Sequence, residues 1–127
     1  MKSSAHDLDP ALARREGIRL FNEGLFWEAH EAWERLWLET ALPEKRFIQG
    51  LIQVAAAWHH VGRENRVGAA RLARRSLSKL ESFDQGYWSL DRAEAVEATR
   101  KLSESLQEEG SGHPPLHTLP RPHLREL

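Results

Sequence analysis

From Pro10 onward, apolar residues recur at the three- and four-residue spacing of an α-helix, with glycine and proline breaking the pattern at intervals. Asp9 before Pro10 has the form of an N-cap and first helical residue, opening a helix that runs to about Asn22. Its apolar positions are Leu12, Ile18, Leu20 and Phe21, and Gly24 just beyond suits its C-terminal stop. A second helix is expected over 25–38, ending before Pro43, with Leu25, Phe26, Ala29, Ala32, Trp33 and Leu36 on one face. The third, over 44–61, is apolar nearly all round, which places it in the middle of a bundle, and Gly62 is expected to end it. A fourth, over 65–83, turns Val67, Ala69, Ala70, Leu72, Ala73, Leu77 and Leu80 inward and carries Arg71, Arg74, Arg75 and Lys79 on its other side. After a turn at Asp84-Gln85-Gly86, Asp91 and Glu94 resemble a capping box opening a fifth helix through Val96, Leu102 and Leu106 to about Glu109. Gly110 stops it.

The expected fold is therefore all-α: a compact bundle of about five helices, two helical hairpins plus the fifth helix, forming one domain over 1–110. Residues 111–127 contain four prolines and cannot be helical; they form either a tail or an extended strap packed through Leu116, Leu119 and Leu124. The two hairpins also look like related units about 40 residues apart. Gly24 follows the first helix much as Gly62 follows the third, and Ala29 and Trp33 sit as Ala69 and Ala73 do. No third copy is visible, so a long solenoid is excluded.

Composition changes this picture little. At 127 residues, 40% apolar and 29% charged, the chain can bury a core without staples. It has no cysteine, which removes disulfides and thiolate metal sites. Its start lacks the apolar run of a signal peptide and no stretch is long enough to span a bilayer, so a soluble, cytoplasmic protein without membrane partners is expected. The net charge of −1 argues against a dedicated nucleic-acid binder. Five tryptophans in so short a chain thicken a small core.

Candidate chemistry concentrates in Phe26 to Trp37. His30 and Glu34 lie four apart on a helix and can reach one point, and Glu31 sits on the neighbouring stripe. The H-E-x-x-E pattern imitates H-E-x-x-H, in which i and i+4 side chains hold zinc and the intervening glutamate is the base; a second carboxylate would make a harder site. The plainer alternative is a solvated face of Glu28, Glu31 and Glu34 with Arg35 as intrahelical partner. In the third helix Arg46, Gln49, Gln53 and His60 gather on one narrow stripe, with His59 pointing elsewhere. Buried amides need partners, and the His30/Glu31/Glu34 stripe is the economical one. His113, His117 and His123 form no ligand-like cluster, and no Gly-rich phosphate loop or serine triad is present.

The run F-x-E-A-H-E-x-x-E-x-x-W (Phe26, Glu28, His30, Glu31, Glu34, Trp37), with Q-G-L-I-Q-x-A-A-A-x-x-H (Gln49 to His60) and Gly68-Ala69, resembles the family called domain of unknown function 309 over roughly residues 12–83. The resemblance implies a compact α-helical fold and no established activity. More loosely, Gly17, Ala29 and Trp33 resemble the small and aromatic positions of a tetratricopeptide hairpin.

Two functional expectations follow. One is a buried polar pocket between the second and third helices that binds a small ligand or divalent metal. His30, Glu34 and His60 would be ligands, Glu31 the base of a metal-assisted hydrolysis, and Glu28, Gln49 and Gln53 the pocket wall. The other is a non-catalytic module binding a protein, a peptide or a second copy of itself. Facing polar stripes favour the first; an exposed tryptophan-lined groove with the glutamates in solvent favours the second.

Overall fold

The computed structural model describes residues 8–105 and 115–127. Five helices follow one another: α1 (Pro10–Asn22), α2 (Phe26–Leu38), α3 (Glu44–Gly62), α4 (Arg66–Leu80) and α5 (Ala93–Glu104). The local signals that open α1 behave as expected, with the Asp9 carboxylate accepting from the Ala11 and Leu12 amides. At the start of α5 the expected capping box is not formed: the N-cap is Arg92, the Asp91 carboxylate accepts from the Ala93 amide at 3.0 Å, and the Glu94 carboxylate accepts from the His123 amide. The expected end of that helix near Glu109, the stop at Gly110, His113 and the first seven residues lie outside the described residues.

α1 packs on α2, α2 on α3, α3 on α4 and α4 on α5. Trp33, Phe21, Phe47, Ile48 and Leu51 are fully buried at the seams. Gly17 has a specific reason to lack a side chain: a Cβ there would stand 2.1 Å from Trp33 Nε1. The Trp33 indole thus lies directly on the α1 backbone, and its N–H reaches the Arg14 carbonyl at 3.4 Å.

The two hairpins turn through the same hydrogen bonds. The Leu25 amide donates to the Leu20 carbonyl and the Asn65 amide to that of His60, each at 2.9 Å. The Gly24 and Glu64 amides donate to Phe21 and Val61, each at 3.0 Å. This paired six-to-one and five-to-two arrangement needs a left-handed residue just past the helix. Gly24 supplies it at φ 82°, and Glu64 supplies it at φ 56°. The counterpart of Gly24 is therefore Glu64 and not Gly62, which is the last residue of α3. Glu64 holds the less favourable conformation, and its carboxylate accepts from the Leu116 amide at 3.0 Å.

Residues 115–127 run as an extended strap across the helix ends. Leu116, Pro122 and Leu124 are buried. Asn22 clamps the strap at two points, its side chain donating to the Leu124 carbonyl at 2.7 Å and accepting from its amide at 2.8 Å. Arg125–Glu126 (β2) pairs antiparallel with Leu90–Asp91 (β1), a two-stranded sheet that the helical pattern did not announce.

α3 lies between α2 and α4, as expected of a middle helix, and nine of its residues are buried. Gln49, Ile52, Gln53, Ala56, His59 and His60 are only half-buried. They form a part-exposed strip flanked by α2 and α4.

Candidate functional site

The helical register of α2 places Trp27, His30, Glu34 and Trp37 along the edge that borders α3. Trp27 is 46% exposed. Its indole stacks on the His30 imidazole, centroids 4.6 Å apart and planes within 10°, and lies 5.2 Å from the His59 ring. Two turns beyond His30, Lys45 sits 3.9 Å over the Trp37 ring and donates to the Trp37 carbonyl at 3.0 Å. His30 Nδ1 and Trp37 Nε1 are buried without a hydrogen-bond partner. Burial pushes the His59 pKa below the usual histidine value, helped by the Arg63 and His60 charges and opposed by Glu28.

The predicted residues divide between two places. His30 is half-buried in the aromatic cluster, whereas Glu28, Glu31 and Glu34 are exposed. Gln53 accepts from Lys79 Nζ at 2.9 Å and so faces α4. His60 Nδ1 lies 3.1 Å from the Asn65 amide nitrogen, at the α3–α4 turn. Gln49 is half-buried on the open strip. The expectation that the two polar stripes bury one another is therefore corrected: α3 is rotated so that His59, which was expected to point elsewhere, meets Trp27. Adjacent residues on a helix are about 100° apart, so His59 and His60 face different neighbours, His59 the α2 edge and His60 the α3–α4 turn. Among the described residues, no three His, Asp or Glu side chains gather as a metal-holding group. His123, in the strap, has its amide on Glu94 at 2.7 Å.

Two cavities lie elsewhere, and neither is lined by a predicted site residue. One of about 640 Å³ is bordered by Arg92, Arg100 and Leu127; one of about 420 Å³ lies between Trp58, Leu102, Leu116 and Leu119. No helix among the described residues is long and apolar enough to cross a membrane.

Fold and surface together define a small two-hairpin helical protein with a pre-ordered tryptophan on an acidic helix. Residues 14–72 match the family model described as "Domain of unknown function (DUF309)". The matched span contains every residue singled out as a candidate site from the sequence. "Uncharacterized protein YpuF" of Bacillus subtilis (strain 168) is 31% identical over 85 residues, which are 65% of this chain and 49% of that protein. The chain thus spans about half the length of this relative.

Proposed function

We propose that the open face of α2 and α3 is a docking surface and that the chain works as a protein-interaction module. Trp27 carries the reading. A tryptophan 46% exposed and already stacked at 4.6 Å on a histidine offers a large apolar contact with little side-chain entropy left to lose. Aromatic anchors of this kind dominate binding energy at protein interfaces. The exposed carboxylates of Glu28, Glu31 and Glu34 surround it, which favours and steers a cationic partner surface. A cytoplasmic location is part of this reading, supported by the absence of cysteine.

The test is site-specific photo-crosslinking in cells. A photo-reactive aromatic residue in place of Trp27 should give a discrete protein adduct. The same group in place of Leu12, 58% exposed on α1, should not. Equal labelling at both positions, or no adduct at position 27, ends the docking reading.

A second reading is a small ligand or divalent cation held by His30, Glu34 and His60, with Glu31 as base for hydrolysis and Glu28, Gln49 and Gln53 nearby. One observation favours it, the buried and unpartnered His30 Nδ1. The residues as placed fit it poorly, because both carboxylates point into solvent and His60 leans on Asn65. Elemental analysis of protein purified without added metal, before and after Glu34→Gln, tests it. Stoichiometric metal lost in the variant would establish this reading.

A further inference from the structure

Charge on this protein is segregated by helix. α4 holds Arg66, Arg71, Arg74, Arg75 and Lys79 and no acidic residue. α2 holds Glu28, Glu31 and Glu34 against a single Arg35. The ion pairs among the described residues lie elsewhere, joining Arg14 to Glu44, Arg19 to Glu16 and Glu23, Arg100 to Glu81 and Glu97, and His123 to Glu94. None engages the α2 carboxylates, Arg46, Arg71, Arg74, Arg75 or Lys79. With a net charge of only −1 the chain has enough of each sign to pair internally, yet α3 keeps these two sets apart.

Both sets border the same open strip. At the C-terminal half of α3, the Trp27 ring of α2 lies 5.2 Å from His59, with Glu28 close enough to act on its charge. Toward its N-terminal half, Lys79 bonds to Gln53, with Arg46 and Arg75 close enough to act on its charge. Between the two corners the strip is neutral and largely apolar, formed by Gln49, Ile52 and Ala56, all half-buried. An acidic aromatic corner, an apolar middle and a basic corner on one face make a self-complementary surface. In a two-fold contact, residue i of one copy meets residue j of the other and the reverse holds at the same time.

We propose that this face closes on a second copy of the chain in a two-fold dimer, with Glu28, Glu31 and Glu34 of each copy meeting Arg46, Arg75 and Lys79 of the other. The proposal rests on the docking reading of the same face and commits it to one occupant. A cationic peptide from another protein would satisfy α2 and leave the basic corner unanswered. A second copy uses both corners and buries Ile52 and Ala56 as well. The contact is half electrostatic, so it weakens with salt as the screening length falls from about 10 Å at 0.1 M to about 3 Å at 1 M.

Sedimentation velocity on the full chain decides it. The wild type should sediment as a dimer at low salt and shift toward monomer at 1 M. The pair Glu31→Lys/Glu34→Lys should be monomeric, and so should Arg46→Glu/Arg75→Glu. All four positions are exposed, so each variant should keep the wild-type circular dichroism spectrum. Mixing the two variants one to one should restore a dimer, because every repulsive contact becomes attractive in the mixed pair. A monomeric wild type at all concentrations, variants that remain dimeric, or a mixture that stays monomeric each overturns the proposal. A monomeric wild type whose position-27 adduct contains a different protein sinks the dimer while the docking reading survives. A monomer giving no adduct sinks both.

Discussion

The α1–α2 and α3–α4 hairpins turn on matching hydrogen bonds 40 positions apart, Leu25 to Leu20 and Asn65 to His60, yet almost every side chain around those turns differs. Gly17 and Trp33 in the first hairpin correspond to Ala57 and Ala73 in the second, all four buried. One hairpin fills its interior with a bare backbone under an indole, the other with two methyl groups. Asn22, which grips the strap, corresponds to Gly62, which has no side chain. On the outside, Glu31 and Glu34 correspond to Arg71 and Arg74, all exposed. The shared backbone thus tolerates different ways of filling the seam and opposite signs of charge. It is the outer residues that give the two hairpins different work.

That comparison is most easily broken in the first seam. Trp33→Ala should cost about 3–5 kcal/mol in a denaturant melt, because nothing beside Gly17 can fill the space of the indole. A loss below 1 kcal/mol would mean that the first hairpin packs as loosely as two alanines would allow. Asn22→Ala should come next, at about 1–3 kcal/mol, since it leaves the amide and carbonyl of Leu124 without their partners. Removal of residues 115–127 should cost more than the substitution, because it also uncovers the surface on which Leu116, Pro122 and Leu124 are buried. A deletion no worse than Asn22→Ala would mean that the strap is held by Asn22 alone.

The matching substitution in the second hairpin should act in the opposite direction. Gly62 is helical and a Cβ there meets nothing within 4 Å. Gly62→Ala should therefore stabilise by about 0.4–1 kcal/mol, read as a higher melting temperature. A destabilised Gly62→Ala would show that the left-handed duty falls on Gly62 and not on Glu64.

The smallest expected effect concerns pH. Burial holds His59 below the ordinary histidine pKa of about 6.5. Above that value both folded and unfolded forms are neutral and His59 costs nothing. As pH falls through the window between the unfolded and folded values, the unfolded chain takes up the proton first, and stability declines. His59→Gln should flatten that decline in melts between pH 7 and the acid range. Identical pH profiles for wild type and His59→Gln would place His59 in solvent, away from Trp27.

Much of the helical layout was legible because its signals are local. Asp9-Pro10 and Asp91 act within three residues of themselves, and apolar spacing in α1, α2 and α4 reports the buried side except in or just before the first turn, where Leu12, Leu25 and Val67 are exposed. The reading of α3 shows the limit. Its polar stripe of Arg46, Gln49, Gln53 and His60 marked the side that is left part-exposed, but its apolar remainder did not separate Ala56 from the buried Ala55 and Ala57. The candidate site suffered from the same ambiguity. His30, Glu31 and Glu34 were found as a group, but their surroundings were not, because a carboxylate on a helix reads alike whether it meets a glutamine or water.

The sequence by itself determined five helical segments, the small-residue seams and the chemistry of each helix face. These follow from residue patterns three or four positions apart, which can be read without knowing how the helices pack. Only the tertiary structure decided that Glu64 takes the left-handed turn, that Asn22 holds a strap 102 positions away, and that His59 meets Trp27. Those outcomes depend on the rotation of one helix against another. Rotation is set by how whole side-chain surfaces interlock, and no short stretch of sequence contains that information.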